Sequence, residues 1–411
     1  MGKGANSMGV KFDDSLSKRA HNFSAGPACL PESVMRTAAA EFCDYGGSGI
    51  GMMELSHRDA GGPVQNAMSQ AAEDLRSLLS IPDAYHVLFM QGGAHGQFAA
   101  VPLNLLGDKK QADYLNTGFW SQRAMKEAAR YCDVRLAYDG TVDNFTKLPS
   151  ASTWDISPDS AYVHVCANET IHGVELLEDP VLPAGSPPLV ADFTSTLLSR
   201  PVDVSKYGLI YASGGKNLGP AGFTVVIVRD DLLDRASPLC PSVLSYKLSA
   251  ESKPVPSLYN TPPTYLIYMC GLVLQDLKDL GGLRAVQKRV RRRSDQIYSL
   301  IEASNSFYTL KNVDKPVRSM MNIPFRVKDG LVDGLEEAFC RESEASGIYQ
   351  LFCHPLFPGL RVTLYNGVPD EAVNALYRFM VKFMADHVDS ADRHAVPHHT
   401  PQVIPNRHAL C

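Results

Sequence analysis

The chain reads as an α/β protein: a mostly parallel sheet sandwiched by helices, followed by a smaller α+β unit. Three observations predict this. Short apolar runs bounded by Gly, Pro and polar residues recur from Tyr85 to Val228, as strands buried on both faces do. Helical periodicity follows several of them, giving a strand–turn–helix rhythm. After Ser306 the pattern changes to two helical segments alternating with strands.

Composition bounds the function. The 411 residues are 45% hydrophobic and 20% charged, as in an ordinary globular protein of two or three domains. A net charge of −5 gives no reason to expect nucleic acid or an anionic membrane as a partner. No apolar run approaches the roughly 18 residues needed to span a bilayer. The first residues lack the apolar stretch of a secretory signal, and Asn6 stands where a myristoylation signal needs a hydroxyl. Nine cysteines form no CxxC pair and fit no metal motif. A reducing, cytoplasmic setting is expected, with the sequons at Asn22, Asn144 and Asn168 accidental.

In chain order, residues 1–20 are polar and expected to form a flexible tail. A turn-rich segment from Asn22 precedes a helix over residues 32–45, and a Gly- and Met-rich loop carries His57-Arg58, a pair suited to an anion. A helix over 64–79 precedes a strand over 85–90. That strand enters Gln91-Gly92-Gly93-Ala94-His95, where a glycine turn opening a helix makes a cup for a small phosphate. The spacing matches neither a dinucleotide fingerprint nor a Walker loop, and an ordinary βα turn remains equally compatible. A strand over 114–116 leads to Trp120, a core aromatic or a stacking surface for a flat ligand. Another over 162–166 leads to Asn168, Glu169 and Thr170. A proline-rich loop, 254–264, precedes long helices. The second helix contains Arg289, Arg291, Arg292 and Arg293, read as a solvated face. The domain boundary is placed near residue 285, giving domains over 21–285 and 286–387. The His- and Pro-rich residues 388–411 are read as a disordered tail.

The centre of the chain is LVADFTSTLLSRPVDVSKYGLIYASGGKNLGPAGFTVVIV, residues 189–228. Two apolar strands here end on Asp192 and on the approach to Lys216. Ligands of open α/β sheets bind at such carboxyl ends. A lysine and a carboxylate delivered together there point to pyridoxal phosphate, which needs an amine to hold it and an acid to keep its ring nitrogen protonated. The residues alone are equally compatible with a solvated turn lysine and a helix N-cap.

Together with NFSAGPACLPESV, MELSHR, GQFAAVPLNLLGDKKQADYLNTGFW, NETIHGVE, YNTPPT and SMMNIPF, this stretch closely resembles the phosphoserine aminotransferases of the class V aminotransferase group. The resemblance runs from about Asn22 to Asp386. It implies PLP fold type I, with a large domain built on a mostly parallel, seven-stranded-type sheet and a smaller C-terminal α+β domain. By resemblance, Lys216 carries pyridoxal 5'-phosphate covalently and moves the substrate proton, and Asp192 pairs with the ring nitrogen. Trp120 stacks on the ring, Thr170 bonds the cofactor, and Ala94, His95 and Gly215 lie around its phosphate. Asn260 and Thr261 match residues that reach the phosphate in the neighbouring subunit, implying a homodimer with shared sites. His57, Arg58 and His354 match groups facing the distal acid. Arg361 matches the α-carboxylate clamp, and Ser24 lies in a segment that closes over the substrate. No metal is implied.

The implied reaction converts 3-phosphohydroxypyruvate and glutamate into O-phosphoserine and 2-oxoglutarate, a step of serine biosynthesis. The alternatives are a paralogue acting on another acidic or phosphorylated 2-oxo acid, or an inactive binding homologue. Three positions depart from the family pattern. Gly215 stands where glutamine is usual, His95 where one branch has arginine, and Pro355 where His354 is often followed by arginine.

Overall fold

A computed structural model of the chain describes residues 19–311 and 313–388. The expected tails, 1–20 and 388–411, lie outside these residues apart from 19, 20 and 388. The large sheet has seven strands: β1 (Tyr85–Met90), β2 (Gln111–Asn116), β3 (Asp133–Asp139), β4 (Val163–Cys166), β5 (Leu189–Asp192), β6 (Leu209–Ser213) and β7 (Thr224–Arg229). Their spatial order is β1-β7-β6-β5-β4-β2-β3. Only β7 runs against its neighbours, so six strands point the same way.

Alternation along these strands feeds two cores. Val87, Phe89, Val163, Val165, Ala191, Ile210 and Ala212 pack on the face covered by α2 (Pro63–Leu79) and α6 (Thr264–Asp279), in a core that α1 (Glu32–Ala40) joins. Leu88, Met90, Tyr114, Val190, Leu209 and Tyr211 pack on the opposite face, with α3 (Gly93–Leu105), α4 (Phe119–Ala128) and α5 (Tyr246–Glu251). Burial on both faces explains why β5 reads as an apolar run up to Asp192 and why only His164 interrupts β4. Strand β3 was not anticipated. It lies at the sheet edge with Leu136 42% exposed, so it carries no continuous apolar signal.

A third core belongs to the four-stranded antiparallel sheet β8 (Tyr308–Leu310), β9 (Asn322–Val327), β10 (Phe352–His354) and β11 (Phe357–Thr363). The helices α8 (Leu335–Ala345) and α9 (Asp370–His387) cover it. Two segments connect this core with the large one. Helix α7 (Gly282–Glu302) gives Leu283, Val286 and Val290 to the large core and Ile297, Leu300 and Ile301 to the small one. The amino-terminal strand His21–Asn22 pairs with Ile348–Tyr349, and Phe23 is buried in the small core. Among the described residues, no helix is long and apolar enough to cross a membrane.

The arginine run corrects the sequence expectation. Arg289, Arg292 and Arg293, spaced to share one helix face, converge on Asp370 at the start of α9. Arg293 is fully buried and also donates to the Val368 carbonyl. Burial alone would raise the Asp370 carboxyl, but the charges and hydrogen bonds of Arg293 and Arg289 outweigh it and hold the group below its usual range. A carboxyl lowered by folding stabilises the fold above its unfolded-state value and loses that contribution as pH falls through the folded value. Asp370→Asn should therefore destabilise the protein by about 3–5 kcal/mol, because it leaves a buried guanidinium without its counter-ion. Urea unfolding of both forms should show this deficit unchanged from about pH 5 to 8 and shrinking below about pH 4.

Candidate active site

The carboxyl ends of β4, β5 and β6 open into a cavity of about 670 Å³. Its lining includes Ser24, Ala94, His95, Trp120, Thr170, Asp192, Gly215, Lys216, His354 and Arg361. Ten of the fourteen site residues expected from the sequence thus converge, from segments as far apart as Ser24 and Arg361. The other four stand outside this cavity. His57 is half-buried, Arg58, Asn260 and Thr261 are exposed, and Gln91 donates to the Thr261 carbonyl at 3.0 Å.

Two helices begin beside the cavity, and their first turns differ. Gly92 and Gly93 take φ of 95° and 65°, a conformation open to glycine, and turn the chain from β1 into α3. No side chain caps α3, and Gly93, Ala94 and His95 face the cavity. This terminus offers free N–H groups and the positive end of a helix dipole to an anion. The first turn of α4 is already filled. The Trp120 and Ser121 N–H groups donate to the two oxygens of Glu169 at 2.9 Å each, and the Phe119 N–H donates to His172 Nδ1 at 3.3 Å. Of the two termini, α3 is thus the one left open to an anion.

Between these helices, Lys216 Nζ lies 5.7 Å from the centroid of the Trp120 indole. The indole N–H donates to Thr170 Oγ1 at 2.8 Å, which fixes the ring's orientation. The lysine loop is tightly shaped. A Cβ on Gly214 would meet the Pro220 carbonyl oxygen at 2.2 Å, and Gly215 has a φ of 93°. The Ala28 N–H donates to the Gly215 carbonyl at 2.8 Å, and a Cβ on Gly26 would touch Lys216 Cε at 3.6 Å. The amino-terminal arm thus forms one wall against the lysine.

Asp192 is 5% exposed at the end of β5, and its carboxylate accepts the Thr194 N–H at 2.8 Å. Burial pushes this carboxyl above the usual range, opposed by the Thr194 bonds and the Lys216 charge. A buried anion with so few donors suits a cationic N–H partner inside the cavity. Flat Trp120, the uncapped α3, Asp192 and Lys216 together fit the ring, phosphate, ring nitrogen and aldehyde of pyridoxal phosphate. Among the described residues, no group of three His, Cys, Asp or Glu side chains is placed to hold a metal ion.

Arg361, on β11, is 8% exposed and anchored by an Nη1 bond to the Thr170 carbonyl at 3.0 Å. His354 stands near it, packed beside Phe119 and Phe357. Burial, then the charges of Arg361 and Arg123, lower the His354 pKa below 6.5. The sequence reading did not assign Asn168, Ser195, Gln350 or Cys353 to this cavity, and it left Glu169 without a role. Asn168 bonds both Ser195 Oγ and Asn322 Oδ1 at 2.9 Å, tying the cavity floor to β9. Its signal was present in the quoted motifs NETIHGVE and SMMNIPF.

The Aminotransferase class-V family model matches residues 20–336. A phosphoserine aminotransferase of Laribacter hongkongensis is 48% identical over 367 residues, covering 89% of this chain and 99% of that protein. The structure of a phosphoserine aminotransferase from Bacillus circulans subsp. alkalophilus superposes with a TM-score of 0.84 at 41% identity, covering 90% of this chain and 99% of that one. The PLP-bound phosphoserine aminotransferase of Trichomonas vaginalis gives 0.79 at 35% identity, with 88% and 99% covered. With its strand order, its lysine–carboxylate cavity and these likenesses in agreement, the chain belongs to the class-V aminotransferase family, on the phosphoserine aminotransferase branch.

Proposed function

We propose that this protein transfers the amino group of glutamate to 3-phosphohydroxypyruvate, giving O-phospho-L-serine and 2-oxoglutarate in serine biosynthesis. The convergence of Lys216, Asp192 and Trp120 on one cavity beside an uncapped helix carries this proposal. The cofactor is pyridoxal phosphate. When bound, it supplies a conjugated ring that spreads the negative charge left on a substrate carbon after its proton departs. Asp192 keeps the ring nitrogen positive by pairing with its N–H in a site that excludes water. Lys216 would hold the cofactor through its amine, and that amine is the group placed to take the proton from the substrate Cα. Trp120 fixes the ring plane, Thr170 orients that indole, and the α3 terminus with Ala94 and His95 binds the phosphate. Arg361 clamps the α-carboxylate in two-pronged fashion, Ser24 closes one side, and His354 faces the distal acid. The division into bodies over 21–285 and 286–387 belongs to the same proposal, with the arm over 21–23 packed on the smaller body, and each body gives one wall of the cleft. The cytosol is the compartment proposed, where the eight described cysteines, all free, remain reduced.

A homodimer completes the site. Met35, Phe42, Ile50, Met53 and Tyr259 are large apolar residues between 41% and 51% exposed, and they lie in the segments flanking His57-Arg58 and Asn260-Thr261. Such exposure favours burial against a partner. Each protomer would then lend His57, Arg58, Asn260 and Thr261 to the other's cavity. The deciding assay compares phosphoserine, serine and aspartate as amino donors. A preference for aspartate or serine would favour a paralogous substrate.

Lys216→Ala should lower turnover by about 10²–10⁴-fold or more and lose cofactor on dialysis, with the fold intact by circular dichroism. Full activity in that variant would sink the assignment. Mixing Lys216→Ala subunits with Arg58→Ala subunits should restore part of the activity, because one site of the mixed dimer draws both residues from unaltered chains. No recovery after proven subunit exchange would count against shared sites.

Pro355 lines the cavity beside His354 and offers neither a cation nor a backbone N–H. With the His354 pKa below 6.5, that ring gains charge only as pH falls below about 6.5. Pro355→Arg should therefore lower KM for phosphoserine about tenfold at pH 7–8, the scale of one charge-assisted hydrogen bond. The check is kcat/KM for phosphoserine and glutamate across pH 6–8.5. Unchanged phosphoserine affinity in a normally folded variant would place the distal anion elsewhere.

A further inference from the structure

Helix α4 begins at Phe119, and its N–H groups would normally face water or a short capping side chain. Here the cap comes from a segment roughly fifty residues later. Glu169 is fully buried and spans two donors, Oε2 accepting from Trp120 N and Oε1 from Ser121 N. Thr117 Oγ1 adds a longer bond to the same carboxylate at 3.4 Å. His172 Nδ1 takes the Phe119 N–H. Between these two caps, Thr170 Oγ1 accepts the Trp120 indole N–H. One short segment therefore holds both the backbone and the ring of Trp120. Gly118 leaves room for this: a Cβ there would meet His172 Nδ1 at 2.6 Å and Glu169 Cδ at 2.7 Å.

We propose that Glu169 is a positioning residue that sets the plane of Trp120 against the cofactor ring, with His172 completing the same cap. This rests on the proposed stacking role of Trp120. A buried carboxylate is costly to keep, and burial raises the Glu169 carboxyl above its usual range against the bonds from Ser121 and Trp120. A neutral Ser or Asn would cap an ordinary helix. A carboxylate with one oxygen on each of two adjacent N–H groups fixes the rotation of the first turn about its axis, and with it the direction of the indole. The helix dipole adds to the hold. The arrangement also reserves the α3 terminus as the place for the cofactor phosphate, because α4 already has its anion.

The test uses Glu169→Gln, Trp120→Phe and the double variant. Each is stripped of cofactor and titrated with pyridoxal phosphate, recording affinity and visible circular dichroism per bound cofactor. Glutamine offers one acceptor where two are needed and turns an NH₂ toward an N–H. Glu169→Gln should weaken cofactor affinity about tenfold, the scale of a lost hydrogen bond to a charged group, and at least halve the dichroism. Added to Trp120→Phe, it should change affinity by less than twofold, since residues acting as one unit are not additive. Affinity and dichroism within twofold of the unmodified protein would overturn the proposal. So would fully additive losses, which would make Glu169 a support of the fold alone. If Trp120→Phe itself changes neither readout, the stacking role fails, whatever Glu169 does. Should Glu169→Gln not fold, Gly118→Ala displaces the same two caps and must reproduce the dichroism loss.

Discussion

The site depends on keeping a carboxylate out of water at the end of a central strand. Asp192 closes β5, in the middle of a sheet covered on both faces, and burial raises its carboxyl against only a few donors. A buried anion of this kind is tolerable when a cation pairs with it. Lys216 contributes at a distance, and the protonated ring nitrogen of the cofactor is the natural close partner. The surrounding geometry follows from that pairing. In the proposed function, the ring would lie where its nitrogen reaches Asp192, its aldehyde Lys216 and its phosphate the uncapped α3 terminus. Strands β1, β5 and β6 present those three groups because they point the same way.

The two helix termini beside the cavity show how charge placement separates similar local structures. Both α3 and α4 start after a strand and a glycine, and neither has a conventional capping side chain at its N-cap. Dipole and free N–H groups would make either one attractive to a phosphate. Glu169 removes that ambiguity by filling α4 from within. The same bonds restrain the helix that carries Trp120, so the anion that blocks one phosphate position also orients the wall beside the other.

Much of this was legible in the sequence, and the remainder had physical reasons to be hidden. Strands buried on both faces announced themselves as apolar runs, and β1 matches its expected bounds. Lys216 and Asp192 were readable because their strands end there. The edge strand β3 was not, since only Ala137 of its seven residues is buried and charged residues interrupt any apolar run. The arginine run looked solvated because its partner, Asp370, lies in another helix nearly eighty residues on. Glu169 was quoted within a motif and given no role, because its work is done on a helix terminus some fifty residues earlier. His57, Arg58, Asn260 and Thr261 carried family signal, yet the chain does not bring them to its own cavity.

The amino-terminal arm joins the small core to the lysine loop. Residues 21–22 pair with Ile348–Tyr349, and Phe23 sits in the small core, so this arm belongs structurally to the body that carries Arg361 and His354. Its next turn lies against Lys216, with Gly26 in contact range of the lysine side chain and Ala28 bonded to the Gly215 carbonyl. An acid engaging Arg361 therefore loads a unit that also borders the lysine. Asn168 makes the reciprocal tie, from the sheet to Asn322 of the small body. With contacts crossing between the two cores at more than one place, a shift of the small body relative to the sheet would disturb the lysine wall. In the proposed function, binding energy at the substrate's carboxylate would then be expressed as orientation at its Cα.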